Sequence, residues 1–218
     1  MDQPSPNPET QPQISISPNG PYVVEGSVPL QNARGGEIES RQTYALCRCG
    51  RSAEKPFCDG AHAKVGFSGE NAAGRGPIEG RRVAYKGNGI TVHDDRSICS
   101  HAGVCTDDLP SVFRMGQEPW CDPRAGEVEK IIDVVKRCPS GALSYGVGDS
   151  METVEEEADP MISVSKDGPY EVVGRLELQP PDGSPYETRA RYTLCRCGAS
   201  KNKPYCDGTH WRIGFKDG

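Results

Sequence analysis

The chain has 218 residues and a formal charge of −6, with 34% hydrophobic and 6% aromatic residues, 26 glycines, 19 prolines and ten cysteines. A chain this poor in apolar side chains does not fill one large core, and Gly- and Pro-rich units below roughly 70 residues generally need disulfide or metal staples. The acidic balance and scattered bases exclude the basic stripe of a nucleic-acid binder, and no run approaches the ~18 apolar residues that span a bilayer.

Residues 1–13, MDQPSPNPETQPQ, contain neither a basic nor an apolar stretch, so they read as a disordered tail rather than a secretory signal. The expected compartment is therefore the reducing cytoplasm, where Cys and His at fixed spacing read as metal ligands. A secreted disulfide framework would give those histidines no role.

The first unit, residues 14–67, opens with alternating apolar residues from Ile14, a Gly-Pro-Tyr turn and a short strand over Tyr22–Val24. NARGG makes a Gly-rich connection, and TYALC predicts a third strand that leads into CRCGRSAEKPFCDGAH at 47–62. Residues 68–80, SGENAAGRGPIEG, read as a linker. The middle unit, residues 81–147, begins with RRVAYKGNGITVHDD, a hairpin around Gly87-Asn88-Gly89. CSHAGVCTDDLPSVF follows. GEVEKIIDVVKRCPSGAL then predicts a helix with Val128, Ile131, Ile132 and Val135 on one apolar face, stopped by Pro139. Residues 148–160, GDSMETVEEEADP, carry six acids and no base. They read as a solvated acidic linker, the alternative being a docking patch for a basic redox partner.

Residues 161–218 repeat the first unit. ISISPNGPYVVEGSVPLQ at 14–31 matches ISVSKDGPYEVVGRLELQ at 162–179, and CRCGASKNKPYCDGTH at 195–210 matches 47–62, at one constant offset of 148. Between Ile14/Ile162 and Phe67/Phe215, 28 of 54 paired positions are identical without a gap, so a duplicated domain brackets an insertion. The expected class is α+β, built of small β-rich, metal-stapled domains: each copy is a small antiparallel sheet carrying a ligand loop and a helical turn.

In each copy the first two cysteines are separated by one residue, so their sulfurs can converge on one metal atom. Cys58 and His62, like Cys206 and His210, are four apart and share one face of a helical turn. Pro56 and Pro204 stiffen the approach to the third cysteine, and Gly60 and Gly208 let the backbone turn before the histidine. Spacing alone suits a structural Cys3His zinc site.

The full pattern, Cys-x-Cys-x2-Ser-x3-Pro-x-Cys-Asp-Gly-x-His in two copies, resembles the CDGSH (mitoNEET-like) iron–sulfur family, with CDGAH and CDGTH as its variants here. The resemblance covers about 54 residues of each copy and favours iron–sulfur over zinc. It implies a 2Fe–2S cluster in each copy, with Cys47 and Cys49 on one iron and Cys58 and His62 on the other; Cys195, Cys197, Cys206 and His210 would repeat this. Asp59 and Asp207 match the family aspartate, which would orient the ligand loop. A neutral imidazole in place of a thiolate implies a raised reduction potential and a pH-dependent, acid-labile cluster. Because family members pair as strand-swapped dimers, the two copies here are expected to form an intramolecular pseudo-dimer in a monomer, without a membrane anchor.

In the middle unit, Cys99-x5-Cys105 and the distant Cys138-Pro139 resemble the divergent single-cluster ferredoxins, whose C-x2-C-x2-C is completed by Cys-Pro. Ala102 stands where the second cysteine is usual. Cys99, Cys105 and Cys138 suffice for a 3Fe–4S cluster; a 4Fe–4S cluster needs a fourth donor from Cys121, His101 or solvent. Zinc on Cys99, Cys105, Cys121 and Cys138 is the structural alternative. No nucleophile–base pair, phosphate loop or carboxylate dyad marks an enzyme. Two functions follow: electron transfer with a redox partner protein, or storage and transfer of clusters to apo acceptors with redox or pH sensing.

Overall fold

The computed structural model describes residues 11–148, 153–155 and 157–217. Most of the expected N-terminal tail lies outside these residues, as do 149–152 and 156 of the acidic linker and the last residue of the second repeat.

In the first repeat, β1 (Gln13–Ile16), β2 (Tyr22–Glu25), β3 (Leu30–Asn32) and β4 (Tyr44–Leu46) precede a single helical turn, α1 (Ala61–Lys64). The middle unit contains β5 (Val83–Lys86), β6 (Ile90–Asp94), α2 (Val104–Asp108), α3 (Val128–Lys136) and β7 (Leu143–Val147). The second repeat contains β8 (Met161–Val164), β9 (Tyr170–Val173), β10 (Glu177–Gln179), β11 (Arg191–Leu194) and α4 (Thr209–Arg212).

The alternation in sequence becomes alternation in burial. Ile14, Ile16, Tyr22, Val24 and their counterparts Ile162, Val164, Tyr170 and Val172 all face a shared core. Two four-stranded sheets form, ordered β10-β1-β2-β4 and β11-β9-β8-β3, each with three strands from one repeat and one from the other. The exchanged strands lie parallel: Ile14 pairs with Leu178, and Leu30 with Ile162. Each exchanged strand is short, so its hold comes mainly from one buried side chain. Burying Leu30 or Leu178 is worth ~1.5–3 kcal/mol.

The middle unit folds its own sheet, β5-β6-β7, with α3 against β7. The expected hairpin forms: Lys86 lies opposite Thr91, and the Gly87 N–H donates to the Ile90 carbonyl at 2.8 Å. Along α3 the fully buried side chains are Ile131, Val134 and Val135, with Val128 and Ile132 at the margins. The apolar face is therefore centred nearer Val134 than the expected set placed it.

The middle unit is anchored on the second repeat. Asp95 accepts hydrogen bonds from Arg189 and from the Ser97 N–H, with both charged side chains sealed from solvent. Arg191 donates to the Lys136 carbonyl, and the Asn202 side chain donates to the Ser97 carbonyl at 2.6 Å. Part of the acidic segment carries ion pairs: half-buried Glu155 pairs with both Arg82 and Arg175, and the exposed Glu157 with Arg175. Among the described residues no helix is long and apolar enough to cross a membrane.

Candidate metal centres

Each ligand loop is held by backbone and side-chain hydrogen bonds at equivalent positions. The Cys47 N–H donates to the Pro56 carbonyl and the Cys58 N–H to the Ala45 carbonyl, at 2.8 and 2.9 Å; Cys195 and Cys206 make the same bonds to Pro204 and Thr193. Asp59 straddles its loop, one carboxylate oxygen accepting from the Ala53 N–H and the other from the Ala61 N–H at 2.8 and 2.9 Å. These two N–H groups hold its pKa below the ordinary carboxylate value. Asp207 does the same between Lys201 and Thr209, both at 2.9 Å. Burial raises the Asp207 pKa, and the hydrogen bonds outweigh it to leave a net lowering.

The donors arrive in pairs. The Cys47 and Cys49 sulfurs are 3.8 Å apart and those of Cys195 and Cys197 3.9 Å, with all ten cysteines free. Two thiolates on one tetrahedral metal, with bonds of about 2.3 Å, lie about 3.8 Å apart, whereas a disulfide needs about 2.05 Å. In the second repeat the Cys206 sulfur lies 3.3 Å from Nδ1 of His210, again a spacing for one metal atom. Among the described residues no three His, Cys, Asp or Glu side chains converge on a single ion position. Burial pushes the Cys206 thiol up to about 12 and the His210 imidazole below its ordinary value. The sulfur–sulfur contact raises Cys195 and lowers Cys197. A bound metal cation would reverse the cost of the buried thiolates.

Two groups that bear on these sites were not singled out from the sequence. Arg48 and Arg196, between the first two ligand cysteines, are almost completely buried, and their guanidinium groups pack over Tyr22 and Phe67, and over Tyr170 and Phe215. Tyr22 and Tyr170 meet edge to face at 6.2 Å between the repeats, and each bonds to the other repeat's ligand loop. The available signal was their identity in both copies. The backbones also cross closely: a Cβ on Gly50 would sit 2.6 Å from the Cys197 carbonyl oxygen, and one on Gly198 2.6 Å from that of Cys49, both at positive φ.

In the middle unit, Cys99, Cys105 and Cys138 line one cavity of about 460 Å³, together with His101, Ala102 and Trp120. Cys105 sits on α2, Cys99 just ahead of the loop that leads to it, and Cys138 just past α3. Burial pushes the Cys105 thiol up to about 11 and raises that of Cys99 in the same direction. Cys121 is buried but is not among the lining residues; its backbone pairs with Phe113. The structure thus brings three of the four candidate cysteines together. Arg96 stacks 4.0 Å from the Trp120 ring centre and pairs with Asp94, closing one wall.

Family models match the segments that contain these sites. The model described as "Iron-binding zinc finger CDGSH type" matches residues 19–63 and 167–211, and "Divergent 4Fe-4S mono-cluster" matches residues 85–148. The uncharacterized protein YjdI of Escherichia coli, in strain K12 and in O157:H7, is 34% identical over 68 residues, 31% of this chain and 90% of that protein. The chain belongs to the CDGSH-type iron–sulfur proteins, with two CDGSH domains and a divergent 4Fe–4S mono-cluster domain inserted between them.

Proposed function

We propose that the protein is an electron carrier with a 2Fe–2S cluster at each CDGSH motif and a cubane-type cluster in a ferredoxin-like middle unit. The observation that carries this reading is the pairing of donors: Cys195 with Cys197 and Cys206 with His210, each pair spaced for one metal atom. A lone zinc would draw all four donors to one point; two metal atoms bridged by sulfide take two donors each.

Bound clusters would supply one-electron redox chemistry. The chain's own residues do the rest. A neutral imidazole leaves less negative charge at each site than a fourth thiolate, and buried Arg48 and Arg196 add positive charge in a medium of low dielectric. Asp59 and Asp207 fix the loops that present the histidines. The two repeats act as an intramolecular pseudo-dimer in a monomeric, cytoplasmic protein that serves a redox partner and catalyses no reaction of its own. In the middle unit three cysteines suit a 3Fe–4S cluster, and His101, lining the same cavity, is a fourth donor for a 4Fe–4S cluster.

The half-buried Cys58 and His62 favour a second reading, transfer of clusters to apo acceptors. Iron and sulfide analysis with EPR of the reduced protein tests the shared premise: iron, sulfide and distinct cluster signals are expected, and zinc without iron would overturn it. His62→Cys separates the two functions. Loss of cluster transfer with electron transfer kept, at a lowered potential, favours the transfer reading.

A further inference from the structure

The two CDGSH motifs are closely similar in sequence, yet their surroundings differ at every position from the third cysteine to the histidine. Cys206, Gly208, Thr209 and His210 are buried and Asp207 half-buried; Cys58, Gly60, Ala61 and His62 are only half-buried, and Asp59 is exposed. The insertion makes the difference. Its Ser97–His101 loop lies on the second motif, where the Ser100 carbonyl and the His101 side chain both stand 3.1 Å from a Cβ placed on Gly208. A Cβ on Gly60 would meet nothing within 4 Å.

One residue difference matches this asymmetry. Asn202 donates to the Ser97 carbonyl, whereas the equivalent position in the first repeat is Glu54, which when ionised has no proton to give. The linker adds cover on the same side, with the Ala72 and Ala73 N–H groups both donating to the Lys203 carbonyl at 2.8 and 3.0 Å.

We infer that the inserted unit caps the second CDGSH site and reserves the first as the face through which the protein exchanges with its partner. This inference rests on reading both repeats as cluster sites. The same contact makes the second site the internal neighbour of the middle unit, because Cys99 and Cys206 each lie two residues from the His101–Gly208 junction.

The test uses the full-length, cluster-loaded protein, its loading established by iron and sulfide analysis, challenged with EDTA at fixed pH. Loss of the visible absorption is followed in time, and His62→Cys and His210→Cys, which shift one site's band each, assign the phases. The first site is expected to lose its cluster faster by about tenfold, the difference expected of a site that opens more readily. Asn202→Glu, which gives the second repeat the first repeat's residue, is expected to speed the slow phase and leave the fast one unchanged. Equal rates in a loaded protein, or a fast phase from the second site, overturn the inference and leave the cluster reading intact; a chain without iron overturns that reading instead. Should Asn202→Glu fail to fold, backbone hydrogen exchange of the loaded parent decides. Slower exchange over 206–210 than over 58–62 supports the cap, and equal exchange overturns it.

Discussion

The hydroxyl of Tyr170, in the second repeat, bonds at 2.9 Å to the carbonyl of Cys47, the first ligand cysteine of the first repeat. Tyr22 returns the bond to Cys195 at 3.0 Å. Each motif is therefore braced by a side chain that its own repeat does not supply.

Tyr170→Phe is expected to damage the first site rather than the second. The Cys47 and Pro56 carbonyls lose a buried donor, at a cost of ~1–3 kcal/mol. The checking measurement is thermal unfolding alongside the cluster spectrum of each site, assigned with the histidine variants. Tyr22→Phe should show the mirror result.

Gly50→Ala is expected to abolish stable cluster binding at both CDGSH sites, because the added methyl meets the Cys197 carbonyl and the backbone there holds φ +73°. Gly74→Ala, with nothing within 4 Å, is the control and should load normally. Iron content per chain after reconstitution distinguishes the two.

Arg189→Met is expected to cost ~1–3 kcal/mol, since the sealed Asp95 carboxylate, between the middle unit and the second repeat, then keeps only Arg81 at 3.4 Å and the Ser97 donors. Lys130→Met, which removes the fully solvated partner of Glu127, should leave unfolding by denaturant unchanged.

His93 gives a pH signature outside the metal sites. Burial, and the charge of Arg82 beside it, push its pKa below the ordinary value. As pH falls through about 6.5 the unfolded chain takes up a proton that the folded chain still refuses, so stability is lost on acidification. His93→Gln removes this contribution. The parent should therefore lose more stability than the variant between pH 7.5 and 5.5, a difference read from paired thermal melts.

The duplication was legible from identity at one constant offset of 148, and the α3 helix from local spacing. Val134 shifted the helix face only slightly, as neighbouring positions on one 3.6-residue period do. The β3 and β10 strands were not singled out: three residues carry too little alternation, and what buries Leu30 and Leu178 lies in the other repeat. Arg48 and Arg196 were passed over because a charged residue between two ligands reads as solvated until the rings that cover it are placed. The inequality of the two sites was invisible for a stronger reason. Both motifs carry the same donors, and the docking of residues 97–101 and of the linker on the second one sets them apart.

The pairing of β1 with β10 also sets the order in which the molecule can be completed. As the chain leaves the ribosome, the first sheet keeps an open edge until residues 177–179 emerge, so the N-terminal half waits on the C-terminal half. A chain that stops short of Glu177 therefore leaves its oldest sheet unfinished, with bare backbone available to a neighbouring nascent chain.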